Sequence, residues 1–377
     1  MAISVYLTIN AGTAGTAGTV EISQLVQSIT WSGDVEECAR TLELELVSSS
    51  LDKSLPEVDC SLGNSVTFMQ DNRVLFFGYV FQRQKDTGSG IIRITCYDRG
   101  IYLKRNESSY KFTNMTPEAI AKRVCGDFGI ETALLAETGM KLTRNFIGSN
   151  LYNVIKTCYD LAAVQTGEDY ILRFEGQKLN VLKKAVSEET LVIEGGSNLM
   201  SASVSESIEN MITQVAVYDS SDKLVNTRSD EDRTKLYGLM QSYLKQTDDE
   251  DADKSAAKLI ADNGVSQKIT LNNLGNIANL SGAAVVVREP YTGLYGLFYI
   301  DSDIHTWKRG QYYNKLVVSF RRVMEKQELQ ALPNAGGKET SSSKTGTTRK
   351  RTSYLIIKGD GIVGRKSVFS SVEEYTQ

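Results

Sequence analysis

The strongest constraint on the fold is a strict alternation of polar and apolar residues from Arg40 to Val47. Successive side chains of an extended strand point to opposite faces, so the three leucines of this segment share one face and Glu43 and Glu45 share the other. Such alternation is typical of a strand with one buried and one solvated face. We therefore expect β-structure here rather than a helix.

Further strand segments follow at short intervals, with turn residues between them. Val66–Met69 and Val74–Phe81 flank Asp71-Asn72-Arg73, which predicts a hairpin, and Ile91–Tyr97 follows a glycine-containing turn. Short strands at this spacing predict a small barrel or sandwich over Val20–Arg99.

The apolar period changes to 3.6 residues after this region. Thr116-Pro117 provides a cap hydroxyl followed by proline at the first helical position, and Gly129 follows the last apolar residue of the pattern. A second helix is predicted from Ser149 or Asn150. Strands are predicted at Tyr170–Phe174 and Leu179–Leu182. The middle of the chain is therefore expected to be α+β.

The segment Asp219–Asp253 is polar and acidic. Its carboxylates lack the alternating spacing of a calcium-binding loop. Thr247–Glu250 instead fits a capping box for a helix that runs to Gly264, with the acidic residues at the positive end of the helix dipole. Later strands are predicted at Lys268–Leu271, Ala284–Arg288, Leu297–Ile304 and Lys315–Arg321.

The composition changes after Pro333, where a run rich in Gly, Ser, Thr and Lys extends to Arg351 and predicts a linker. Its basic residues are interpreted as solvated charges, with an acidic partner or nucleic acid as the alternative. They are Lys344, Arg349, Lys350 and Arg351. Tyr354–Lys358 and Gly361–Phe369 are expected to pair as a final hairpin.

Two glycine-rich segments resemble nucleotide-binding loops. Gly12–Gly18 repeats Gly-Thr-Ala but is not followed by Gly-Lys-Ser/Thr, so we interpret it as a loop. Gly359–Gly364 matches G-x-G-x-x-G, but only 13 residues follow it. A dinucleotide fold needs a helix and a second strand after this motif. We therefore predict a glycine hairpin there and no cofactor site.

The composition further limits the kinds of binding or catalytic site that the chain can contain. The five cysteines are scattered without a C-x-x-C pair, and Cys125 and Cys158 fall on apolar helix faces, so we expect buried thiols rather than disulfides or a zinc site. Among 377 residues, 41% are hydrophobic, 23% are charged and the net charge is −4, which does not favour nucleic-acid binding. The longest aliphatic run is Ala283–Val287, and the first residues lack a signal-peptide pattern. We expect a soluble protein that is made inside a cell and, at least at first, kept there.

The single histidine, His305, lies in the segment Asp301-Ser302-Asp303-Ile304-His305. In a strand, Asp301, Asp303 and His305 would share one face, as a general base beside carboxylates requires. No G-x-S-x-G or other nucleophile motif accompanies them. We interpret His305 as a structural or interface residue and predict no catalytic, cofactor-binding or metal-binding residues.

Two segments resemble a known family. Tyr97–Leu103, leading into Met115–Ala121, and Tyr291–Trp307 are similar to the baseplate hub proteins of contractile phage tails, specifically the XkdQ/YqbQ-like hubs. The order of elements is similar over about residues 1–330, and these hubs are related to the spike-hub proteins of type VI secretion.

The resemblance implies an α+β, mainly β fold with two small β-barrel domains and an α/β middle region. The composition after Pro333, which the resemblance does not cover, adds a flexible C-terminal arm. The division is 1–110 for the first barrel, 111–200 for the middle domain, 201–333 for the second barrel with the acidic helix, and 334–377 for the linker and hairpin arm. It also implies a structural hub, not an enzyme. Three copies would form a ring that adapts the sixfold tail tube to the threefold central spike.

The partners implied are two further copies of the chain, the spike, the tube or tube initiator, other baseplate or wedge proteins and the tape measure. No membrane or specific nucleic acid is implied. The expected location is the tail baseplate of a virion or of a tail-like bacteriocin, assembled in the cytoplasm of the bacterial host. Two alternatives stay open: a tail-associated peptidoglycan hydrolase that uses Asp301, Asp303 or His305, and a carbohydrate-binding module with exposed aromatic platforms.

Overall fold

The computed structural model describes residues 2–9, 18–49, 52, 54–86, 88, 90–183, 191–245 and 252–319, together with two strands near the C-terminus. It is α+β and mainly β, as predicted. The chain divides into two compact units. The first comprises residues up to Ser201, Leu271–Val285 and Tyr299–Val318, and the second comprises Ala202–Thr270, Val286–Phe298 and the residues from Ser319 onward.

The first unit begins with a run of antiparallel strands. They are β1 (Ile3–Ile9), β2 (Gly18–Glu21), β3 (Val26–Asp34), β4 (Thr41–Val47), β5 (Ser65–Gln70), β6 (Arg73–Asp86) and β7 (Ile91–Tyr97), with a 3₁₀ turn at Ser23–Leu25. Their order in the sheet is β3-β4-β7-β6-β5-β1-β2. The leucines of β4 are at most 2% exposed, which confirms the alternation.

The predicted hairpin between β5 and β6 is also confirmed. Gln70 pairs with Arg73, so the turn contains Asp71 and Asn72 alone and Arg73 already belongs to the strand. Both turn residues have positive φ, at 48° and 64°. This is the conformation of the two-residue turns that match the twist of antiparallel strands.

The middle of the first unit contains three helices: α1 (Gly100–Arg105), α2 (Pro117–Asp127) and α3 (Leu151–Thr166). The Thr116 side chain caps α2 and the Asn150 side chain caps α3, as their sequences predict. Five strands accompany them: β8 (Glu107–Met115), β9 (Thr132–Leu135), β10 (Leu142–Asn150), β11 (Tyr170–Glu175) and β12 (Lys178–Lys183).

The paired strands β8 and β10 were not predicted, whereas β11 and β12 were. Cys125 and Cys158 are buried in the core that α2 and α3 share with these strands, as expected.

The remaining strands of the second half are β13 (Leu191–Glu194), β14 (Leu199–Ser207), β18 (Ser266–Leu274), β19 (Ala284–Glu289), β20 (Leu294–Lys308) and β21 (Gln311–Ser319). β20 passes from the second unit into the first, where Ser302–Lys308 pairs antiparallel with Ser28–Asp34 of β3. The four strands predicted after Gly264 are confirmed, and each is longer than its pattern indicates. The described part of the last one ends at Ser319.

The second unit contains a small sheet with the order β16-β15-β17. Its elements are β15 (Gln214–Tyr218), β16 (Leu224–Ser229), α4 (Glu231–Tyr237), β17 (Gln241–Lys245) and α5 (Ala252–Asp262). The acidic helix is present as α5, but Thr247–Glu250 lies outside the described residues. Asp230 belongs to the acidic segment that was predicted to precede that helix, but its side chain caps the short helix α4 instead. The small sheet itself was not predicted.

The final hairpin is confirmed as a pair of strands, β22 (Thr352–Ile357) and β23 (Val363–Val368), which are antiparallel to each other. The linker with its basic cluster, most of Gly359–Gly364 and most of Gly12–Gly18 lie outside the described residues. The four-part division at 110, 200 and 333 stays a prediction.

Candidate functional site

The segment with the single histidine lies in the part of β20 that belongs to the first unit. Asp303, His305 and Trp307 alternate onto the buried face of the strand, and Asp303 and His305 are 0% exposed. Asp301 is half-buried. The structure therefore brings Asp303 and His305 together as predicted, with His305 Nε2 3.1 Å from Asp303 Oδ2.

Arg40, which precedes β4, supplies the charge that balances Asp303. Its guanidinium makes a bidentate contact with the carboxylate, at 3.1 Å for Nη1 and Oδ1 and with a second, short contact between Nη2 and Oδ2. The Arg40 side chain is 7% exposed. The guanidinium carbon also lies 4.1 Å from the ring centroid of Trp31. A Cβ atom on Gly33 would lie 2.2 Å from Nη1, so glycine at this position leaves room for the guanidinium.

The hydrogen-bond network assigns the tautomer of His305. Asn314 Oδ1 accepts from the Asn276 backbone N–H at 2.7 Å and from Asn279 Nδ2 at 2.9 Å, so Asn314 Nδ2 donates to His305 Nδ1 at 2.8 Å. Nδ1 is then an acceptor and the proton is on Nε2. Nε2 lies 3.1 Å from the Asn279 carbonyl oxygen and from Asp303 Oδ2, both acceptors. Both imidazole nitrogens therefore have partners inside the protein.

Aromatic rings extend the network along β20 and β21. The Trp307 and Tyr312 rings stack with centroids 4.3 Å apart and planes 8° apart, and Phe68 meets Trp307 edge-on at 4.9 Å. The Tyr312 hydroxyl donates to His305 Nδ1 at 2.7 Å. Gly275 is required against this ring, because a Cβ atom there would lie 2.1 Å from it.

The pKa values of two buried carboxyl groups near Arg40 are shifted in opposite directions. Burial acts to raise the pKa of Asp303, but the Arg40 guanidinium and the His305 hydrogen bond outweigh it and hold this pKa well below its usual range. Burial raises the pKa of Asp98 to about 7. Hydrogen bonds from the backbone N–H groups of Arg40 (3.1 Å) and Gly100 (2.8 Å) only partly oppose that rise.

The arrangement has the chemistry of a structural site. Asp303 and His305 have no surface that a substrate could reach, and His305 uses both nitrogens inside the protein. Buried networks of this kind fix the relative positions of the strands that carry them, although Arg40 Nε and Asn279 Oδ1 have no hydrogen-bond partner among the described residues. Here they fix β20 against β3 and the start of β4.

Sequence reasoning missed Arg40, Asn279, Tyr312 and Asn314. A signal for Arg40 was available, because it is in phase with the leucines of β4 and a charged residue on a buried face needs a partner. Nothing local indicates that the partner is Asp303, 263 residues away.

Metal-binding clusters and membrane-spanning helices are both absent from the described residues. Within these ranges, no group of three or more His, Cys, Asp or Glu side chains is arranged to hold a metal ion. No helix in the described part of the chain is long and apolar enough to cross a membrane.

Comparison with known proteins places the chain in a family. The model of the YqbQ-like family matches residues 29–319. The phage-like element PBSX protein XkdQ of Bacillus subtilis (strain 168) is 27% identical over 293 residues, which cover 75% of this chain and 89% of XkdQ.

Two solved structures have a similar fold. The prophage MuSo2 43 kDa tail protein from Shewanella oneidensis has a TM-score of 0.61 at 14% identity, with 84% of this chain and 98% of that chain covered. A chain of the Francisella PdpA–VgrG complex, in its lidless state, has a TM-score of 0.50 at 10% identity, with 100% of this chain and 74% of that chain covered. Because the family model matches well over half of its residues, the chain belongs to the YqbQ-like family, and its fold is similar to that of a phage tail protein.

Proposed function

We propose that this protein is the structural baseplate hub of a contractile tail, in which three copies form a ring between the sixfold tail tube and the threefold central spike. The observation that carries the proposal is the family match over residues 29–319, together with a fold similar to a tail protein over 84% of the chain. XkdQ is by its name a component of a phage-like element.

The structure supplies a physical reason for such a role. A baseplate component transmits load between its neighbours, so its core must hold one arrangement. The Arg40–Asp303–His305 network holds β20 on β3 with charged and directional contacts, which specify register more strictly than apolar packing does. All of β20 except Lys308 lies in the segment Tyr291–Trp307, which carries part of the family resemblance.

The finer parts of the proposal concern domains and partners. The chain would provide two barrel domains, 1–110 and 201–333, on either side of the middle domain 111–200, so that three copies present six barrels to the tube. The partners would be the spike, the tube or tube initiator, other baseplate proteins and the tape measure. Similarity to a chain of a complex that contains VgrG supports a spike partner. The location would be a virion or bacteriocin tail baseplate, assembled in the host cytoplasm.

The hydrolase alternative is weakened by burial of the residues it needs, since Asp303 and His305 are 0% exposed. The carbohydrate-binding alternative does not conflict with a hub role, because a surface site can coexist with a structural core.

Electron microscopy of assembled particles tests the proposal. The chain would carry a short tag at its C-terminus, and particles would be labelled with a tag-specific gold conjugate. The proposal predicts gold at the baseplate end of the tail, on its axis. Gold along the sheath, at the head end or in no particle would contradict it.

A further inference from the structure

The small sheet of the second unit has two unlike faces. One face packs on α5, where Val215 and Val217 of β15 contact Ala256 and Ile260. The opposite face is carried by Gln214, Ala216 and Tyr218 of β15, by Gln241, Tyr243 and Lys245 of β17, and by Leu224, Thr227 and Ser229 of β16. We call this second face the Tyr243 face. All of its residues except Ala216 are half-buried or exposed.

Two stacked tyrosines form the centre of the Tyr243 face. The rings of Tyr218 and Tyr243 have centroids 4.8 Å apart and planes 25° apart. Ala216 lies beside Tyr243 in the parallel register and is 2% exposed, so the rings cover the backbone there. Tyr243 is 55% exposed, and its strand is at the sheet edge. The ring side that faces away from Tyr218 is therefore open to solvent.

Polar groups surround this open ring. The Tyr243 hydroxyl donates to Asp222 Oδ1 at 3.3 Å, and Lys245 Nζ donates to the same oxygen at 2.7 Å. Asp222 is held in place by a turn in which the Asp219 side chain accepts two backbone N–H groups. At the other end of the face, Gln214 Nε2 donates to Gln241 Oε1 at 2.6 Å.

This pattern matches the surface of a pyranose sugar. A pyranose has an apolar side of C–H groups, which the negative face of an aromatic ring attracts, and a rim of hydroxyls. Amides, a carboxylate and an ammonium group are suitable hydrogen-bond partners for those hydroxyls. The aliphatic side chains on the face are the buried Ala216 and Leu224, which pairs with Tyr218 and is 51% exposed. A protein partner still fits less well than a glycan, because burial of the surrounding polar groups would be costly.

We propose that the Tyr243 face binds a glycan, with one pyranose stacked on Tyr243 and its hydroxyls bound by Asp222, Lys245 and the two glutamines. This site is separate from the Arg40–Asp303–His305 network, and it does not depend on the hub role. The rings are already stacked and Asp222 is already fixed, so little ordering is needed on binding.

Isothermal titration of the full chain tests the site, with chitohexaose and cellohexaose as probes because both are chains of equatorially linked pyranoses. The wild-type chain should bind at least one of them, and Tyr243→Ala should weaken that binding about tenfold. Tyr291→Ala is the matched control, because Tyr291 is 96% exposed in the same unit but outside this face. It should bind as the wild type does.

Tyr243→Ala also removes the contact with Tyr218, so two milder variants accompany it. Tyr243→Phe keeps the stacked ring and should retain binding within about threefold, whereas Asp222→Ala keeps both rings and should weaken binding several-fold. Absence of binding to both probes would overturn the proposal. It would also be overturned if Tyr243→Ala and Asp222→Ala bound as the wild type does, or if the wild-type chain self-associated through this face.

Discussion

The buried ion pair between Arg40 and Asp303 leads to the sharpest prediction of stability. Replacement of Arg40 by Met keeps much of the side-chain volume but leaves the carboxylate of Asp303, at 0% exposure, without its counter-charge. The Ser281 backbone N–H, at 2.6 Å, and His305 remain as donors. Removal of one partner of a buried pair costs about 3–5 kcal/mol. That is a large fraction of the ~5–15 kcal/mol by which a domain is stable.

The size of the loss should depend on pH. In the wild type the Asp303 pKa is depressed, so its contribution is present above the unfolded pKa of about 3.9 and is lost only as pH falls through the lower folded pKa. Without Arg40 the burial of Asp303 is poorly compensated and its folded pKa rises above the unfolded value. The variant then loses stability as pH rises from about 4. Arg40 also lowers the pKa of Asp98, so Asp98 acts in the same direction.

Urea unfolding followed by tryptophan fluorescence measures this loss. The chain has only two tryptophans, Trp31 and Trp307, and both lie in the core that surrounds the ion pair. The transition therefore reports the first unit. At pH 7.5 the Arg40→Met variant should be less stable by about 3–5 kcal/mol, and at pH 5 the difference should be smaller. The double variant Arg40→Met/Asp303→Asn, which removes the unpaired charge, should recover about 2 kcal/mol.

Lys156→Met is the matched control, because Lys156 and Asp160 form a solvent-exposed pair one helical turn apart. Its expected cost is about 0.5 kcal/mol. A loss below about 1 kcal/mol for Arg40→Met at pH 7.5, or an equal loss at both pH values, would refute the reasoning about the buried charge.

Three further predictions follow from the same structure. The folded pKa of Asp98, about 7, exceeds its unfolded value, so the stability that Asp98 contributes is present below about pH 4 and is lost as pH rises to 7. In urea titrations, the stability of the wild type relative to Asp98→Asn should therefore fall by roughly 4 kcal/mol over that range, and a difference that does not change with pH would contradict this. Truncation at Pro333 should leave the urea midpoint of the tryptophan transition unchanged but impair particle assembly, whereas a lower midpoint would mean that the arm belongs to the core. The pure protein should release no muropeptides from peptidoglycan, and release that His305→Ala abolishes would restore the hydrolase hypothesis.

Local patterns in the sequence predict the local elements well. The alternation in β4, the two-residue turn after β5 and the caps at Thr116 and Asn150 each depend on neighbouring residues alone, and each is confirmed. The small sheet β15–β17 was missed because all three strands are short: β16 and β17 lie in the polar segment Asp219–Asp253, and β15 is an apolar run of three residues without a clear alternation.

The long-range contacts could not be predicted from the sequence, for a different reason. The alternation of β20 predicts that Asp303 and His305 are neighbours, but the pairing of β20 with β3 joins segments about 270 residues apart. Arg40, which lies between β3 and β4, enters the network only through that pairing. Asn314 is nine residues from His305, on the neighbouring strand β21, but nothing in its local pattern indicates a buried contact. Likewise, the Tyr243 face exists only because β15 and β17 are parallel neighbours, which brings Tyr218 beside Tyr243.

The proposed hub role requires that three copies of this chain form a closed ring on a spike. Head-to-tail contacts form a closed ring when the rotation between neighbouring subunits is a whole fraction of a full turn. The extent of assembly depends on protein concentration. The decisive measurement is the mass of the complex after co-expression with its spike partner, by native mass spectrometry at several protein concentrations. The hub role requires a complex with three copies of the chain. A stable complex with one copy, or a ring with any number other than three, would contradict it.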